Sequence, residues 1–197
     1  MVLPTTVLND WRKGFPCLRK FRSRFLLRRV DECFIGLLFE YQDQSYKPQF
    51  IFYLPYMEET TIYIAGSADL PSVGYRHGSK LAMSGIYAHA EYHERAIEAF
   101  RLHSPLPICG EIRSNTVLQF LEREIDIRNR AVYTIRNTLY FEILHNNGAV
   151  ALERLDYFLR AMPCEKDWAH AGGRDAFTKE IRDLVESPKM LQDRVSR

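Results

Sequence analysis

Residues 114–145 read SNTVLQFLEREIDIRNRAVYTIRNTLYFEILH, a stretch with no glycine and no proline. Val117, Leu118, Leu121, Ile125, Val132, Ile135, Leu139 and Ile143 recur at the spacing that gathers side chains on one side of an α-helix. The spacing predicts a helical spine. Ser114 or Asn115 suits its start, because a short polar side chain accepts a hydrogen bond from an unpaired N–H of the first turn. Asn146, Asn147 and Gly148 tolerate the left-handed backbone that stops a helix. Unbroken, the spine would run roughly 45 Å at about 1.5 Å per residue. A break near Asn129 or Thr134 is compatible with the same pattern.

Helical periodicity extends to both sides of the spine. It covers residues 80–101 before it, 149–161 after it through Leu152, Leu155, Phe158 and Leu159, and 175–186 through Phe177, Ile181, Leu184 and Val185. Before residue 66 the period is two, as in strands. Phe21, Ser23, Phe25 and Leu27 alternate with Arg22, Arg24, Leu26 and Arg28, so a strand here puts aromatics on one face and arginines on the other. Residues 33–41 and 49–56 are apolar on both faces, as in central strands, and residues 60–65 form a shorter one. Residues 1–20 are a lead-in, with Trp11 and Phe15 as anchors and Gly14 and Pro16 breaking any long helix.

The expected class is therefore α+β, with an N-terminal three- to four-stranded antiparallel sheet over about 21–66 and a cluster of about four helices over about 79–187 around one long central helix. Residues 188–197 are expected to fray. A chain of 197 residues, 46% hydrophobic and 26% charged, suits one domain over 1–197, or two small cores sharing an interface.

No apolar run approaches the roughly 20 residues that cross a bilayer, and no secretory leader is visible. Cys17, Cys33, Cys109 and Cys164 are scattered, without a CxxC or a zinc-finger spacing, so free thiols in a cytoplasmic protein are expected. Eight of the 27 Lys and Arg residues, and none of the 25 Asp and Glu residues, fall between Trp11 and Val30. This local basic charge suits an acidic partner or a phosphate backbone, or it balances the acidic remainder of the fold.

Three constellations are candidate sites. His89 and His93, four apart, project from one side of a helix as metal ligands do, and Glu142 with His145 forms an ExxH that would add ligands. HAEYH lacks the glutamate that follows the first histidine in a HExxH protease, and buried histidines more often bond to backbone or tyrosine. Arg76, His77, Ser79 and Lys80, in the stretch 74–80 where the Gly-bearing loop 66–79 meets a helix, are a candidate anion cradle. Their order and spacing are not those of a P-loop. Arg22, Arg24, Arg28 and Arg29 are candidates for nucleic acid or an acidic partner, although outward arginines also protect an edge strand.

No nucleophile elbow, Gly-rich dinucleotide turn or helical-ribonuclease Arg-Asn…His spacing occurs, so no catalytic residue and no cofactor is assigned. The expected function is non-catalytic binding of another macromolecule, first a protein, in the manner of an inhibitor, an immunity or antitoxin factor, or an adaptor. Tyrosine and arginine, abundant here, favour interface hot spots. The alternatives are a nucleic-acid-binding protein using residues 12–29 and a metal-dependent enzyme using His89 and His93.

Overall fold

The structure, a computed structural model, describes residues 4–42, 45–54, 63–65, 83–127 and 132–195. The fold is α+β, an N-terminal antiparallel sheet followed by helices. The chain divides into two compact units, Met1–Ile112 and Arg113–Arg197.

The first unit opens with helix α1 (Pro4–Gly14). Val7, Leu8 and Trp11 lie on one side of it and are buried, and this packing compensates for a first turn of poor helix formers. The sheet follows as β1 (Arg19–Phe21), β2 (Phe25–Val30), β3 (Cys33–Gln42) and β4 (Ser45–Tyr53), an antiparallel meander in sequence order. Two short strands, β5 (Tyr63–Ala65) and β6 (Met83–Ser84), both pair with β4. Pro48 falls between the β6 partners Ser45 and Tyr46 and the β5 partners that begin at Phe50, where its missing N–H costs no described ladder bond. Helix α2 (Gly85–His103) completes the unit.

The residues 21–28, expected as one strand, form a hairpin. Arg22 adopts a left-handed backbone with φ of 57°, the chain reverses through Arg22–Arg24, and Phe21 pairs with Phe25. A second reversal follows at Asp31, φ 48°, between the paired residues Val30 and Cys33. Short polar side chains accept this conformation more readily than branched ones.

Burial shows which sheet face carries the core. Leu26, Leu37 and Phe50 form one rung across β2, β3 and β4 and are inaccessible. Trp11, also inaccessible, joins three elements: its ring lies 5.4 Å from that of Phe39 on β3, 5.3 Å from Phe100 on α2, and 6.3 Å from Phe15.

Cys17 and Cys109 are joined by a disulfide, with Cα atoms 5.8 Å apart. This corrects the expectation of four free thiols; Cys33, buried, and Cys164, exposed, are the free ones. A separation of 92 residues hides such a pair from any spacing rule.

The second unit is all helical. The spine forms two helices, α3 (Ser114–Ile127) and α4 (Val132–Leu144), packed against each other. They are followed by α5 (Gly148–Ala161), a 3₁₀ segment (Glu165–Ala171), α6 (Arg174–Glu186) and α7 (Lys189–Val195). Helix α4 contacts every one of these elements. It is buried on all sides, where the stripe reading anticipated only one. Its stop is the anticipated one: Asn146 takes φ 61°, and the Asn147 N–H donates to the Glu142 carbonyl at 2.9 Å. Residues 189–195, expected to fray, are helical, with Leu191 inaccessible.

Candidate functional site

His89 lies in the interior of the first unit, 4% exposed, at the centre of a chain of hydrogen bonds. The Trp11 indole N–H donates to the Tyr46 hydroxyl at 3.1 Å. The Tyr46 hydroxyl in turn lies 2.6 Å from His89 Nδ1, and His89 Nε2 lies 3.2 Å from Asp10 Oδ2. One assignment satisfies every atom: Tyr46 donates to Nδ1, and a neutral His89 donates from Nε2 to the Asp10 carboxylate. Lys13 bonds the other Asp10 oxygen at 2.7 Å. His93 Nδ1 is 2.8 Å from the His89 carbonyl oxygen, to which it donates.

In this arrangement both ring nitrogens of His89 are already used. An Asp–His–Tyr chain has the connectivity of a catalytic triad. Tyr46, however, is only 4% exposed, and burial pushes its phenol well above the ordinary tyrosine range, the reverse of nucleophile activation. The chain braces α1, β4 and α2 together.

Burial also lowers the His89 pKa from its ordinary 6.5, despite the opposing bond to Asp10. The unfolded chain therefore takes up a proton at His89 more readily than the folded one. The first unit is expected to be fully stable above pH 6.5, and to lose stability as the pH falls from there toward the lower folded value. Asp10, lowered by its bond to Lys13, acts in the same direction but only below its ordinary 3.8. Thermal melts between pH 7.5 and 5 would show the effect, and His89→Gln should flatten it. An unchanged slope in that variant would remove His89 as the cause.

Glu142 and His145 belong to the second unit, and each has local partners. Glu142 accepts from the Asn147 side chain at 2.9 Å and pairs with Arg154 at 3.2 Å. Arg154 also pairs with Glu122. His145 Nδ1 donates to the Phe141 carbonyl at 2.9 Å, over the Phe141 ring. Among the described residues, no group of three or more His, Cys, Asp or Glu side chains could hold a metal ion. The anion candidates Arg76, His77, Ser79 and Lys80 lie outside the described residues.

The arginine candidates separate. Paired residues of neighbouring strands share a sheet face, and successive residues alternate. Arg28 therefore lies on the side of Ile35 and Phe52, where its guanidinium donates to the Gly110 and Pro107 carbonyls at 2.7 and 3.3 Å. It ties loop 104–113 to the sheet. Arg22 stacks over the Phe21 ring, its guanidinium carbon 5.4 Å from the centroid, and Arg24 is exposed at the hairpin tip. Arg29 is on the opposite face from Arg28, in one rung with Phe34 and Tyr53.

That rung corrects the expected separation of arginines from aromatics. Arg29, Phe34 and Tyr53 stand side by side across β2, β3 and β4, and the two rings lie 6.2 Å apart. The next rung on this face is Arg19, Leu27, Gly36 and Ile51. At Gly36 a Cβ would fall 1.9 Å from the Leu26 carbonyl oxygen, so glycine is required there for the close approach of the two strands. A groove of about 630 Å³ runs along β1 and the adjoining ends of β2, β3 and β4. Arg19, Lys20, Arg28 and Arg29 line it with Phe21, Phe34 and Tyr53, and no carboxylate occurs among the described lining residues. Phe34 and Tyr53 are half-buried, while Arg19, Lys20 and Arg29 are exposed.

Arg19, Lys20, Phe34 and Tyr53 were not singled out from the sequence as site residues. The two-residue period carries the signal for Phe34 and Tyr53 only once the register is known. Comparison with protein-family models, with curated proteins and with solved structures gave no match.

Proposed function

We propose that this protein is a non-catalytic binding module that holds an acidic macromolecular partner in the groove along β1. The observation that carries the reading is the rung Arg29–Phe34–Tyr53 opening onto a groove whose described charges are all positive. A low-dielectric wall beside clustered like charges concentrates the field on an oppositely charged partner. Support against catalysis comes from the Asp10–His89–Tyr46 chain, the most triad-like arrangement among the described residues, whose His89 and Tyr46 are buried in the core.

No described helix is long and apolar enough to cross a membrane. The cytoplasmic placement expected from scattered cysteines is opposed by the Cys17–Cys109 bond, because disulfides persist chiefly in oxidising compartments.

The test is retention on an immobilised polyanion. Arg19→Glu with Arg29→Glu should elute at clearly lower salt than Arg160→Glu with Arg182→Glu, which makes the same change in net charge on exposed residues of α5 and α6. Equal shifts in the two variants would refute the groove as the anionic site.

A further inference from the structure

We infer that the partner held in this groove is single-stranded nucleic acid, with Phe34 and Tyr53 as platforms for two neighbouring bases and Arg19 and Arg29 on the phosphates. The inference rests on the reading above and narrows it. An acidic polypeptide would satisfy the charges but offers an aromatic face only where its sequence happens to supply one. A nucleic-acid strand offers both a row of anionic groups and a π-face on every base.

The placement of the rings favours unpaired bases. Phe34 and Tyr53 sit on adjacent strands, opposite one another, with planes 35° apart and centroids 6.2 Å apart. Two side-by-side rings, tilted to one another, receive two splayed bases in succession, one on each. Bases stacked inside a duplex cannot present their faces this way. The cationic side chains lie on the same side: Arg29 closes the rung beside Phe34, and Arg19 stands one rung along, opposite Leu27. Arg29 donates from Nε to the Asp31 carbonyl at 2.8 Å, which fixes its direction.

The experiment is fluorescence anisotropy of a labelled oligouridylate and oligothymidylate of about ten nucleotides, a length typical of one binding face, with the full chain. Binding should weaken steeply with added salt, and Arg19→Glu with Arg29→Glu should reduce that salt dependence. Phe34→Leu and Tyr53→Leu keep apolar volume while removing the π-face. Each should weaken binding about five- to a hundred-fold with the salt dependence and the melting temperature unchanged, whereas Phe34→Tyr and Tyr53→Phe should bind as the parent does. A duplex of the same length should bind more weakly than the single strand.

Polyglutamate of matched charge separates the failures. Should polyglutamate bind, with dependence on Arg19 and Arg29, while the oligonucleotides do not, or should the leucine variants bind oligonucleotides undiminished, the nucleic-acid inference is overturned and the acidic-partner reading stands. If neither polymer responds to the arginine reversals, both are overturned.

Discussion

Leu139→Ala is expected to lower the unfolding free energy of the second unit by about 2–5 kcal/mol, the range for deleting a buried leucine when the surroundings cannot fully close the space. Leu139 is inaccessible, on a helix that contacts α3, α5, α6, α7 and the 3₁₀ segment. With neighbours all round, no single element can move in to fill the cavity without leaving another contact. Leu121→Ala on α3, equally inaccessible, should fall in the same range. The contrast is Arg182→Ala, exposed on α6, which should change stability by about 0.5 kcal/mol or less. Urea unfolding monitored by far-ultraviolet circular dichroism measures all three. A loss under about 1 kcal/mol at Leu139 would show that α4 is not the centre of a tightly packed core.

Removal of the Cys17–Cys109 disulfide is expected to have the largest effect on the first unit. Its partners are 92 residues apart, and chain-entropy arguments put the stabilisation from closing so long a loop at about 4–5 kcal/mol, with measured values often nearer 2–4. The bond anchors the turn after α1 to loop 104–113, whose Gly110 and Pro107 carbonyls hold Arg28. Reduction should therefore lower the unfolding midpoint, and Cys17→Ser with Cys109→Ser should reproduce the loss and become insensitive to reductant. Thiol titration of the denatured, unreduced protein should find two free thiols, those of Cys33 and Cys164. Four thiols, or a midpoint indifferent to reductant, would remove the disulfide from the account of stability.

The two effects differ in origin. Leu139 acts on the folded state, through contacts that alanine cannot make. The disulfide acts mainly on the unfolded state, by restricting the conformations open to the chain. Cavity costs follow the room left behind, whereas cross-link effects follow loop length.

The sequence alone determined what depends on neighbours a few residues apart. Spacing of apolar residues located α2 to α6 because a helix brings i, i+3 and i+4 together whatever surrounds it, and the Asn146–Gly148 stop needed only residues that accept a left-handed backbone. The same logic gave the meander and the α+β class. It failed where short-range preference is weak: α1 carries Thr5, Thr6 and Val7 near its start, and α1 forms because Trp11 can be buried against Phe39 and Phe100.

Tertiary structure decided everything that joins distant residues. The Arg22 turn replaced one strand by a hairpin; the register set by strand pairing then put Arg29 with Phe34 and Tyr53 and sent Arg28 to the other face. His89 met Asp10, 79 positions away, and Tyr46, 43 away, which made it a core brace. The reason is physical. Periodicity records which side of its own element a residue occupies, but the identity of what waits on that side is set by register and packing, which bring together residues that no local pattern relates.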